Sequence, residues 1–86
     1  MAKLTKAEKK WLDEFQEVLN RCPSKRLGFY TIGDYQVVVY DRSKESKING
    51  LLESGDATDW CAGVAKAGAD FGEGLDFPAQ VHSTAG

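Results

Sequence analysis

Histidine occurs once in this 86-residue chain, methionine once, and cysteine and proline twice each. Cys22, Cys61 and the lone His82 stand too far apart to match the ligand spacing of a zinc site. No metal or cofactor is therefore expected. The two cysteines read as free, at least half-buried thiols rather than a bridge, because the chain opens without an export signal. The start, MAKLTKAEKKW, lacks the apolar core of a secretory leader. No apolar run approaches the roughly 18–20 residues needed to cross a bilayer. The expected compartment is the cytoplasm, with no membrane partner.

Catalytic signatures are missing as well. His82 has Asp76, Ser83 and Thr84 near it in sequence, but neighbours along a tail do not make a triad. Asp70-Phe71-Gly72 matches the metal-binding tripeptide of protein kinases, yet nothing else of that fold fits in so short a chain. The glycines between 63 and 74 give neither a GxxxxGK[ST] loop nor a GxGxxG register. Asp70, Glu73 and Asp76 lack the alternation of a calcium loop. No catalytic residue is nominated, and an enzyme is the least expected outcome.

What is present suits one small domain, residues 1–86, with 82–86 as a loose tail. Hydrophobic residues make up 42% and charged residues 28%, enough for a folded core. Charge is unevenly spread. Residues 1–47 hold ten of the eleven Lys and Arg, whereas residues 48–86 hold only Lys66 against six acids.

Thr5-Lys6-Ala7-Glu8 has the form of a capping box. Behind it Trp11, Phe15, Val18, Leu19 and Cys22 recur at helical spacing, with Leu12 beside them. Pro23 ends this first helix near Asn20–Arg21. Next, GFYTIGDYQVVVYD sets Gly33-Asp34 between two aromatic and β-branched runs, the pattern of a hairpin closed by a two-residue type II′ turn. That closure pairs Ile32 with Tyr35 and Tyr30 with Val37, so Tyr30, Ile32, Tyr35, Val37 and Val39 share one face. Leu27, Phe29, Val38 and Tyr40 share the other. Neither face is polar, so both need cover. Ser43 or Asp41 can cap a second short helix carrying Ile48, Leu51 and Leu52, which Gly55 terminates. Residues 57–81 fit a helix capped by Asp56 or a strand opening after Asp59, and GLDFPAQV reads as a short extended piece. The expected class is α+β: a helix packed on an antiparallel hairpin, a second short helix, then a C-terminal helix or strand pair.

The segments NRCPSKRLGFYTIGDYQVVVYDR and FPAQVHSTAG resemble small accessory proteins of temperate, lambdoid-type phages and prophages of enteric bacteria. The likeness covers about residues 4–41 and 77–86. It implies a small cytosolic protein of an infected or lysogenic host, and it carries over no catalytic residues.

The expected function is non-catalytic protein binding, to a host protein or to a second copy. The candidate surface is Tyr30, Ile32, Tyr35 and Val37, since apolar area on both hairpin faces must be hidden, either by residues 57–81 of the same chain or by a partner. The alternative is nucleic-acid binding through Lys6, Lys9, Lys10, Lys25 and Arg26, which an acidic pI of about 5.3 disfavours.

Overall fold

The computed structural model describes residues 2–84. Helix α1 (Lys6–Asn20) is followed by strands β1 (Leu27–Thr31) and β2 (Gln36–Asp41) and a single 3-10 turn, Arg42–Lys44. Helices α2 (Glu45–Ser54) and α3 (Trp60–Lys66) then lead to strand β3 (Asp70–Asp76). The strands form one antiparallel sheet in the order β1-β2-β3, so the hairpin gains a third strand beside β2. The α+β class and the order of helix, hairpin and second helix are as expected. Residues 57–81 contain one helix and one strand, and Asp59 rather than Asp56 caps that helix through the Ala62 amide at 2.8 Å.

Local chemistry accounts for the element ends. Thr5 Oγ1 accepts from the Glu8 amide at 3.1 Å, and Glu8 Oε1 accepts from the Thr5 amide at 2.8 Å, completing the capping box. Asp41 Oδ1 accepts from both the Ser43 amide (3.0 Å) and the Ser43 hydroxyl (2.6 Å), starting the 3-10 turn that leads into α2. Gly55 closes α2 at φ 81°, a left-handed conformation in which a side chain would be strained.

The hairpin register differs from the expected one. Tyr30 pairs with Val38 and Thr31 with Val37, one residue away from the pairing of a two-residue turn. Asp34 is the reason. Its carboxylate accepts from the Gln36 amide at 2.8 Å, and Thr31 Oγ1 accepts from the Gly33 amide at 3.1 Å, so Ile32–Tyr35 becomes a longer loop. The C-terminal segment then holds this loop from outside. Phe77 N–H donates to the Tyr35 carbonyl, Val81 N–H to that of Asp34, and the Gln80 amide to that of Gly33, all at 2.7–2.8 Å. A one-residue slip exchanges the faces of one strand relative to the other. Tyr30 therefore shares its face with Val38 and Tyr40, while Val37 lies with Phe29 and Val39 on the opposite face.

The inner face, Tyr30 and Tyr40, meets α2 and α3. Tyr40, Ile48, Val64, Ala67 and Ala69 form the buried cluster, flanked by half-buried Tyr30, Leu51, Leu52 and Trp60. Tyr40 stacks edge-on against Trp60 (5.6 Å between ring centroids) and at 5.9 Å from Tyr30. The outer face carries Phe29, Thr31, Val37, Val39 and Leu75; Val39 is buried there, whereas Phe29 and Leu75 stay exposed. Helix α1 touches the rest of the chain far more lightly than a helix laid over the hairpin. None of its residues is buried, and its aromatic contact is Phe15 against Phe77, 5.9 Å between centroids. The radius of gyration, 15.7 Å, exceeds the roughly 12 Å of a compact chain this long, and the extents are 49 × 31 × 20 Å. After β3, residues 82–84 have no regular structure and are exposed, while 85–86 of the expected tail lie outside the described residues.

Candidate functional site

The four hairpin residues nominated from the sequence are not brought together on one face. Tyr30 is half-buried against Tyr40 on the helix-covered side, and Val37 is half-buried on the other side. Ile32 and Tyr35 sit in the loop at the hairpin tip and are well exposed, at 64% and 56% of their surface. The one-residue register shift accounts for this split. Burial, and next the Cys61 thiol beside it, pushes the Tyr30 hydroxyl's pKa up, which keeps that ring a neutral packing element.

The larger apolar surface is on α1. Trp11 and Val18, two turns apart, lie in line on one side of Phe15, and Leu12 and Leu19 lie in line on the other. Trp11 is 52% exposed and Val18 57%, with Leu4, Leu12 and Leu19 also exposed. Between α1 and the end of β3 runs an open groove of about 350 Å³, walled by Trp11, Phe15 and Val18 on one side and Leu75, Phe77 and Pro78 on the other, with one acid on each wall, Glu14 and Asp76. Leu75 and Phe29 continue the apolar surface onto the outer sheet face, where both are exposed. The repeat of Trp11, Phe15, Val18 and Leu19 was visible in the sequence. What it could not reveal is that the helix carrying it stays uncovered.

The five basic residues of the nucleic-acid alternative are distributed along the molecule. Lys6, Lys9 and Lys10 lie in the first two turns of α1, and Lys25 and Arg26 follow its far end. The fifteen-residue helix whose two ends they flank is about 22 Å long. Lys9 pairs with Asp13 at 2.7 Å, and Lys10 stands 4.0 Å from Glu14. Arg26 Nε reaches Asp41 Oδ2 at 3.2 Å while its guanidinium stacks over Phe71, 4.8 Å from the ring centroid. Its charge is spent on the sheet. Hydrogen bonds from the Ser43 hydroxyl and amide, together with Arg26, hold the Asp41 carboxyl below its usual pKa.

Cys22 and Cys61 are free thiols and both exposed, which corrects the expectation of burial. Cys22 lies just beyond the end of the uncovered α1, and its thiol donates to the Ser24 carbonyl at 3.3 Å. His82 is exposed in the segment after β3. Among the described residues no cluster of His, Cys, Asp and Glu is placed to hold a metal ion, and no helix is long and apolar enough to cross a membrane. No protein-family model, curated protein or solved structure matches the chain.

Proposed function

We propose that this chain is a non-catalytic binding module that acts in the cytoplasm by docking a protein, a host protein or another copy, in keeping with its resemblance to phage and prophage accessory proteins. One observation carries the reading: a well-capped amphipathic helix of fifteen residues buries none of them. Apolar patches of that extent on small domains mark interaction surfaces. The docking surface comprises the α1 stripe and the groove it forms with Leu75, Phe77 and Pro78. Tyr35 and Ile32 at the hairpin tip are further accessible apolar positions. Nucleic-acid binding has less support, because acids interrupt the lysines of α1 and Arg26 is engaged by Asp41.

The test substitutes Trp11→Lys and Val18→Lys in the full chain and reads both stability and binding. Stability should change by less than about 0.5 kcal/mol, as for ordinary surface positions. A partner isolated from bacterial lysate, identified and re-bound as purified protein, should be lost by both variants. If the substitutions unfold the chain, the stripe is core and the reading fails.

A further inference from the structure

The charges along α1 identify what could cover its stripe. Residues 3–10 hold Lys3, Lys6, Lys9 and Lys10 against Glu8 alone, with Lys9 and Lys10 reaching along the helix to Asp13 and Glu14. Over residues 11–21, Asp13, Glu14 and Glu17 face only Arg21. The helix therefore runs from positive to negative. This is the unfavourable sense for its own dipole, because lysines stand at the positive end and no basic residue lies in the last turn. An anionic membrane or nucleic acid would meet the acids of the second half, and a uniformly basic partner would meet the lysines of the first. A complementary surface must reverse its charge along the same length. A second α1 laid antiparallel does so. Its acidic half covers the lysines, its basic half covers the acids, and the two helix dipoles oppose each other. A parallel copy would set lysines against lysines.

We infer that α1 is a homodimerisation helix, two copies pairing antiparallel about a two-fold axis through their exposed stripes. Resting on the binding reading above, this names the partner of the same surface. The symmetry is isologous, so each charge contact occurs twice. Lys10 and Glu14 border the Trp11–Val18 side of the stripe and are the pair placed to meet their counterparts across the axis. Phe15 stays on Phe77 within each subunit, and the partner helix lies along the Trp11–Val18 side, over the groove. One pair of fifteen-residue helices is a small interface beside the roughly 1,200 Å² at which standard ones begin, so the association belongs in the micromolar range.

Sedimentation equilibrium on the full chain, from low micromolar to several hundred micromolar, tests this. The expected result is a reversible monomer–dimer equilibrium. Lys10→Glu and Glu14→Lys should each weaken dimerisation about tenfold, two exposed charge contacts being reversed in each case. The double swap should restore it, and Trp11→Lys should abolish it. Circular dichroism of each variant confirms that the fold is retained. A wild-type monomer throughout the range overturns the inference, as does a dimer indifferent to Trp11→Lys. A dimer whose double swap fails to recover overturns the antiparallel arrangement. Failure of the broader reading looks different. There, lysine in the stripe unfolds the monomer, whereas a stable monomer tolerant of those lysines removes only the second copy as partner.

Discussion

Helix α3 has seven residues, among them one glycine and two alanines, and it places Gly63 and Val64 out of solvent. Helix α1 has fifteen residues, a complete capping box and a far stronger apolar stripe, and it buries none. The weaker helix is the structural one. Its small residues let it approach closely: a Cβ added at Gly63 would lie 3.0 Å from Ile48 Cγ2. Together with α2 it encloses Ile48 and Val64 almost completely beneath Tyr40. Helix α1 is self-sufficient locally and underemployed globally. Amphipathicity states which side of a helix is apolar; whether that side faces the molecule's own core depends on where the sheet's covered face lies.

The largest effect that bears on this contrast is a pair of truncations. Ile48→Ala should cost about 2–5 kcal/mol, because the side chain is fully buried and leaves a cavity. Val18→Ala, which removes two carbons where Ile48→Ala removes three, should cost less than about 0.5 kcal/mol. Urea midpoints give both values. Similar costs would mean that α1 is packed in solution and the contrast is void. Next in size is Gly28→Ala on β1. A Cβ there would stand 2.4 Å from Tyr40 Cε1 and 2.5 Å from Arg42 Cγ, so either the ring or the strand must move. Overpacking of this kind costs about 1–3 kcal/mol. A neutral result would show that the Tyr30–Tyr40 side of the sheet is looser than the α2–α3 contact implies.

Sequence reasoning reached the elements whose causes are local. The capping box of α1, the stop before Pro23, the αL glycine at Gly55 and the two strands around Gly33-Asp34 all follow from a few adjacent residues. It missed features set by distant ones. The hairpin loop is held by backbone donors from Phe77 and Val81, more than forty residues on, and their hold accompanies the Asx turn at Asp34 that shifts the register. That single residue separated Tyr30 from Val37 and dissolved the nominated face. Likewise, β3 was obscured by Gly72 and Gly74, although it supplies the partner that makes β2 central. The stripe on α1 is plain in the sequence, where an apolar helix beside an apolar ribbon suggests mutual cover. The inner face went instead to α2 and α3.

A smaller effect separates the two regions by pH. Asp41 anchors the 3-10 turn that leads into α2 and receives Arg26 from the linker after α1. Its pKa is lowered below 3.8, chiefly by the Ser43 hydroxyl. A carboxylate so depressed contributes stability above its ordinary pKa, and that contribution disappears as pH falls through the folded value. Asp41→Asn should thus lower the urea midpoint at neutral pH, and the gap from the wild type should close under acid. A gap that persists unchanged in acid would assign the loss to packing of the amide rather than to the charge.

The smallest effect on global stability belongs to the α1 cap, and it probes the contrast most directly. Thr5→Ala removes the acceptor for the Glu8 amide and leaves Glu8 to hold the Thr5-position amide alone. Loss of such a cap destabilises its helix by about 1 kcal/mol. In a helix coupled to the core, that cost would appear in the unfolding of the whole domain. Helix α1 meets the rest mainly through Phe15 on Phe77, so its fraying should be a local event, with a free energy well below that of global opening. Amide hydrogen exchange in the Thr5→Ala variant should therefore accelerate across Lys6–Asn20 while Val38–Tyr40 and Val64 exchange as before. In a dimer joined by α1, the same substitution should also weaken association, because fraying competes with pairing. Uniform acceleration across α1 and β2 would bind the helix to the core, and the free surface on which both functional readings depend would be lost.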